Sequence, residues 1–196
     1  MNTDAQLRRR LLQCGGSVLL GAPLVVWAPR AAAAKREPYK EEDVYDAAKD
    51  FFKTGAKELS DVLAKVLREK GRPIALIPGT EAGGAIGVGL RYGNGELKYS
   101  NGAGRRVYWQ GPSLGFDIGA NVVKVFALVY NLPNTEAIFQ RFPGVEGSLY
   151  FVGGFGVNYV QANDITIAPV RFGIGWRQGI GVGYMNFSRR KRINPF

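Results

Sequence analysis

Gly179-Ile180-Gly181-Val182-Gly183-Tyr184 alternates glycine with a larger apolar residue, so an extended chain puts all three glycines on one face. Gly173-Ile174-Gly175-Trp176 repeats the pattern, as do Gly87 and Gly89 before Arg91. Glycine weakens a strand, so rows of it need a physical reason: tight coiling of a sheet, or close approach of another backbone or a ligand. Of the 27 glycines, 23 lie from Gly71 onward, in segments of period two. Expected strands are Gly84–Tyr92, Glu96–Asn101, Arg105–Gln110, Leu114–Gly119, Val122–Asn131, Ser148–Gln161, Asp164–Arg177 and Gly179–Phe187. Gly93-Asn94-Gly95 has the residue types of a hairpin turn. Asn131–Phe142 interrupts the pattern, with Asn134 placed to cap a short helix. So many short strands in succession predict a mainly β fold, a small closed antiparallel β-barrel over residues 73–187.

The segment before it, residues 35–72, reads as an N-terminal amphipathic helix. Val44, Ala48, Phe51, Phe52, Leu59, Val62, Leu63, Val66 and Leu67 recur at three- and four-residue spacing. Glu41, Glu42 and Asp43 open the pattern and Lys65, Arg68 and Lys70 close it, which suits the helix dipole. Gly71 and Pro73 form a stop, and Gly55 is a candidate break between two helices. The apolar stripe either docks on the domain or lies on a membrane surface.

Residues 1–34 carry an export pattern: Arg8-Arg9-Arg10, an apolar stretch over Leu11–Trp27, then Ala31–Ala34 as a small-residue cleavage region. The triple arginine followed by Leu11-Leu12 also has the form of a twin-arginine signal. The expected location is the periplasm. Of 196 residues, 26 are basic and 16 acidic, a formal charge of +10; without residues 1–34, 22 basic and 15 acidic side chains remain. The chain has no histidine, and its single cysteine, Cys14, lies in the signal segment. These counts argue against disulfides, metal sites of the usual kinds, thiolate nucleophiles and imidazole acid–base chemistry, so no cofactor and no metal are expected.

Gly111-Pro112-Ser113-Leu114-Gly115 matches the letters of a serine-hydrolase nucleophile elbow, yet no histidine exists to complete a triad. Lys98 and Lys124 sit in no motif that would make a dyad with Ser113. The segment therefore reads as a tight turn entering a strand, with no catalytic residue. Asp117 shares a face with Ser113, Gly115 and Gly119. If that face lines a barrel, Asp117 needs a cationic partner such as Arg106, Arg171 or Arg177. Glu81 shows no pairing in the sequence, and Gly79-Thr80-Glu81-Ala82-Gly83-Gly84 lacks the ending of a phosphate loop. Trp109, Asp117 and Arg171 are the candidate ligand contacts.

The tail 188–196 carries Arg189-Arg190-Lys191-Arg192. These four are the candidate lipid contacts, since a basic residue near an anionic membrane is worth about 1 kcal/mol. A solvated tail is the plain alternative, and nucleic acid is not an expected partner for an exported chain.

Several runs also resemble a known family. Arg91-Tyr92-Gly93, Val107–Asp117, Val129-Tyr130-Asn131-Leu132, Phe142–Ser148, Ala168–Gly173 and Asn194-Pro195-Phe196 are similar, in order and spacing, to the EipA (envelope integrity protein A) family of proteobacteria. The helical opening before a glycine-rich half is similar, more distantly, to SYLF-type lipid-binding domains. The resemblance implies a periplasmic protein on a small β-barrel that keeps the cell envelope intact, and it transfers no catalytic residues. The expected function is non-enzymatic support of the envelope by binding phospholipid or another envelope component. Two alternatives stay open: a protein-interaction module of envelope assembly without a lipid ligand, and a hydrolase using Ser113.

Overall fold

The computed structural model describes residues 36–173 and 183–192, and within the strands it leaves aside the side chains of 84–88 and 113–121. The expected signal segment 1–34, Arg177, most of the expected glycine row 179–183 and the last four residues lie outside that description.

The helical segment is two helices, divided around Gly55, the candidate break. α1 spans Glu41–Phe52 and buries Val44, Ala48 and Phe52, one turn apart; α2 spans Lys57–Lys70 and buries Leu59, Val62, Leu63, Val66 and Leu67. The break has a backbone cause. Lys53 adopts a left-handed conformation, φ 59° and ψ 42°, which ends α1, and Gly55 follows it. Thr54 Oγ1 then accepts a hydrogen bond from Ala56 N at 3.2 Å. Lys124 reaches from the sheet to the last carbonyls of α1, its Nζ donating to Phe51 O at 3.2 Å and Phe52 O at 3.4 Å. A cation there complements the negative end of the helix dipole.

The remainder is mainly β. β1 (Ala75–Tyr99) and β2 (Gly104–Tyr130) form one long antiparallel hairpin, with a single register shift between Gly83 and Ala85. Short segments β3 (Arg141–Pro143), β4 (Tyr150–Val152), β5 (Phe155–Val157) and β6 (Val160–Ala162) follow, then β7 (Ile165–Phe172) and β8 (Tyr184–Ser188). They form one sheet in the order β3-β8-β2-β7-β5-β4, with β1 on β2 and β6 on β7. β2 is long enough to pair β8 through Tyr108–Gln110 and β7 through Lys124–Tyr130. The sheet curls as a result, and a bridge between Gly144 and Val160 brings its β3 and β6 margins together. The expectation of a mainly β, barrel-like architecture holds in this form; a regularly closed barrel goes further than these ladders.

Successive residues along the central strands face two different cores. Ala75, Ile77, Val125, Ala127, Val129, Ile165 and Ile167 face an inner core with Leu97, Val107, Trp109, Phe142 and Phe187. Leu76, Phe126, Leu128, Tyr130, Ala168 and Val170 face the opposite way, under the apolar stripes of α1 and α2. Both faces of these strands are thus buried. The inner space between them is filled by side chains.

Several expected boundaries move. Gly93-Asn94-Gly95 is not a turn but the middle of β1, paired with Val107-Tyr108-Trp109. The reversal lies at Ser100–Ala103, where Gly102 has φ 81° and Asn101 Oδ1 accepts from Ala103 N at 3.0 Å. Gly111-Pro112 likewise continues β2 instead of turning: a side chain at Gly111 would overlap the Tyr184 carbonyl of β8. Ala75–Gly83, which matched no expected strand, opens β1, and Ser148–Gln161 divides into β4 and β5 at Gly153-Gly154, both with positive φ, and into β5 and β6 at Asn158-Tyr159. The helix expected after Asn134 is a single 3-10 turn, Thr135–Ile138, whose cap is as expected: Asn134 Oδ1 accepts from Ala137 N at 2.9 Å.

Candidate functional site

The glycines of β1 have a packing reason. β1 bends so that its first part crosses its second, and the crossing is made of glycine on both sides. A side chain on Gly95 would come within 2.6 Å of Pro78 O and 3.1 Å of Gly79 Cα. One added at Gly93 would overlap the indole of Trp109, and one at Gly79 would strike both that indole and the Asn94 carbonyl. Trp109 therefore lies flat in a glycine cradle, 2 % exposed, with Phe187 beside it at 5.7 Å between ring centroids.

An indole N–H buried this deeply needs an acceptor, and Glu81 supplies it at 2.7 Å. Glu81 is itself buried, and a buried carboxylate needs cationic partners. Arg171, on the inward face of β7 and 1 % exposed, donates to Glu81 from Nε at 2.7 Å and Nη2 at 2.9 Å. Its Nη1 donates to Asn158 Oδ1 at 2.7 Å, and Nη2 also meets Met185 Sδ at 3.5 Å. Arg91 stands farther off, Nη1 4.0 Å from Glu81 Oε2, and donates from Nε and Nη2 to Pro112 O at 3.2 and 3.0 Å.

Burial alone would raise the Glu81 pKa. The attraction of Arg171 and its hydrogen bonds outweigh that, Arg91 and Trp109 add to it, and Glu81 is held at about 2. Burial, with Arg171 nearby, lowers the Arg91 pKa, and Glu81 works against that shift. A carboxylate so acidic, with donors already on both oxygens, is a poor proton acceptor at neutral pH. The cluster acts as a strut that fixes the floor of what lies above it.

Above Trp109 is a cleft of about 180 Å³. Tyr92 and Tyr108 wall it, Trp109 closes its base, and Ser188, Lys191 and Arg192 form its lip. The basic run is divided by one acid. Arg189 pairs with Glu136, which also takes Arg105 at 2.5 Å, and the Arg189 guanidinium stacks over Phe139 at 4.6 Å. The Arg189 hydrogen bond, helped by both positive charges, lowers the Glu136 pKa. Ser188 Oγ donates to Arg190 O at 2.8 Å, which bends the chain and sets Lys191 and Arg192 at the cleft. Among the described residues no carboxylate lies within ion-pair distance of Arg190, Lys191 or Arg192.

Of the residues singled out in the sequence, Trp109 and Arg171 come together through Glu81, and Lys191 and Arg192 join Trp109 at the cleft. Arg189 is engaged with Glu136, and Arg190 stays exposed. Ser113 pairs with Gly89 and Asp117 with Ala85 along the β1–β2 ladder; their side chains are outside the description. Arg171 answers to Glu81, and Arg106 lies opposite Glu96 at the exposed end of the hairpin. Sequence reasoning missed Glu81, Arg91 and Asn158. The signal for Glu81 was its alternation with Ala75, Ile77 and Gly79, which puts it on the inward face.

A family model described as envelope integrity protein A matches residues 37–196. Among solved structures, the crystal structure of a beta-barrel-like, uncharacterised protein from Brucella abortus is similar, at 35% identity and a TM-score of 0.72. The match covers 81% of this chain and 99% of that one. No curated protein matches the chain.

Proposed function

The chain belongs to the envelope integrity protein A family, and from that premise we propose that it is a non-enzymatic periplasmic protein that binds the anionic headgroup of an envelope lipid. The family gives it a cell-envelope-related role; the cleft above Trp109 gives that role a chemistry. The observation that carries the reading is the juxtaposition of an aromatic-walled cleft with two cationic side chains, Lys191 and Arg192, that have no acidic partner among the described residues. An aromatic wall offers apolar contact and a polar edge, and the lip offers charge to a phosphate. The cleft is small beside the 300–1,000 Å³ of a typical ligand pocket, which suits a headgroup rather than a whole lipid. The inner core is occupied by side chains such as Phe142, Ile167 and Phe187, which favours a surface site over a lipid-filled interior.

No helix among the described residues is long and apolar enough to cross a membrane. Contact with a bilayer in this reading is peripheral. The test is to purify the chain from envelopes and identify co-purifying lipid by extraction and mass spectrometry. The reading expects anionic phospholipid in stoichiometric amount; neutral lipid alone, or no lipid, contradicts it.

A further inference from the structure

The same fold of β1 that cradles Trp109 opens a second concavity. On the other side of the Gly79–Gly95 crossing lies an apolar groove of about 310 Å³ between α1 and the sheet. Tyr39, Phe51, Leu76, Pro78 and Phe126 line it, Ala47 leaves it open from the helix side, and Asp50 and Lys98 are its charged members. The two sites share one strand. Pro78 lies in the groove and Ala82 in the basic cleft, four residues apart, or roughly 13 Å at strand rise. The second part of β1 repeats the arrangement, with Lys98 in the groove and Tyr92 and Asn94 in the cleft.

We propose that groove and cleft are the two halves of one lipid site. A single acyl chain lies in the groove beside α1 while its phosphate headgroup sits under Lys191 and Arg192. This rests on the headgroup reading above and adds the occupant of the groove. Charge complementarity gives the orientation: the cationic lip is on one side of the Gly79–Gly95 crossing and the apolar lining on the other. Volume limits the occupant, because a space of 310 Å³ at the low end of ligand pockets takes one chain and not two. Ala47 is the residue whose size decides the matter. It sits one turn before Phe51 on α1, and a larger side chain there closes the groove from above.

The experiment compares two probes by calorimetry with the full chain: monoacyl phosphatidylglycerol below its micellar concentration, and glycerophosphoglycerol, the same headgroup without a chain. The proposal expects the acylated probe to bind at least tenfold more tightly. Ala47→Trp should remove that gain and leave glycerophosphoglycerol binding unchanged, while Lys191→Ala with Arg192→Ala should weaken both. Equal affinity for the two probes overturns the groove and leaves the headgroup reading standing. Binding of neither overturns both. A chain-length series on the unsubstituted protein keeps the question decidable if Ala47→Trp does not fold: affinity should rise with each added carbon until the groove is filled. A flat series contradicts the proposal.

Discussion

The Glu81 carboxylate accepts two hydrogen bonds from the Arg171 guanidinium, at 2.7 and 2.9 Å, across 90 residues of chain. The pair ties the first part of β1 to β7 and, through the indole of Trp109, to β2. Removing one member leaves the other charged in a dry interior. Arg171→Met should therefore destabilise the protein by about 3–5 kcal/mol. Replacing both, Glu81→Leu with Arg171→Met, should lose less than the sum of the single losses. Urea unfolding of the four proteins in a double-mutant cycle measures the difference.

The same pair sets an acid limit. Glu81 is held at about 2 against an ordinary 4.5, so between those values the unfolded chain binds a proton that the folded chain refuses. Stability from this group is complete above pH 4.5 and falls as pH drops toward 2, by about 3 kcal/mol in all. Unfolding midpoints from pH 6 down to pH 2 should show that loss. Glu81→Gln should be less stable at pH 6 and should flatten the slope between pH 4.5 and 2; an unchanged slope would remove Glu81 from the explanation.

Glycines in this chain should respond oppositely to the same substitution. Gly93→Ala drives a methyl into the Trp109 indole, which its hydrogen bond to Glu81 prevents from shifting, and overpacking of this kind costs about 1–3 kcal/mol. Gly55, between the helices, has nothing within 4 Å of an added Cβ and no positive φ. Gly55→Ala should stabilise by about 0.4–1 kcal/mol through a less flexible unfolded chain. Thermal melts of the two variants separate these outcomes.

These two positions also show what the sequence could convey. The helical stripes were legible because each repeats locally, and so was the sheet class, through short runs of strand-forming residues such as Val122–Asn131. The Gly93-Asn94-Gly95 segment misled because turn chemistry and close-approach chemistry use the same residue. Nothing within ten residues of Gly93 reveals that Trp109 will lie on it. Glu81 was hidden for the same reason: Trp109 is 28 residues away and Arg171 is 90. Trp109, Arg171, Lys191 and Arg192 stood out by residue type, but their convergence needed the bend in β1 and the turn after Ser188.

Lys124 offers a test of how the helices are held. Its Nζ reaches the last carbonyls of α1 from β2. Lys124→Met keeps the aliphatic stem and removes the charge, so the loss should be about 1 kcal/mol. Hydrogen exchange should locate the change in α1, with the amides of β1 and β2 unaffected.

The central claim is that Lys191 and Arg192 hold an anionic headgroup over Trp109. Titration of the chain with vesicles of phosphatidylglycerol in phosphatidylcholine, beside vesicles of phosphatidylcholine alone, tests it directly. At about 1 kcal/mol per basic residue, Lys191→Ala with Arg192→Ala should weaken binding to the anionic vesicles by roughly 30-fold. Raising the salt concentration should weaken the unsubstituted chain in the same direction. Equal binding to both kinds of vesicle, or an unchanged affinity in the double variant, would contradict the account.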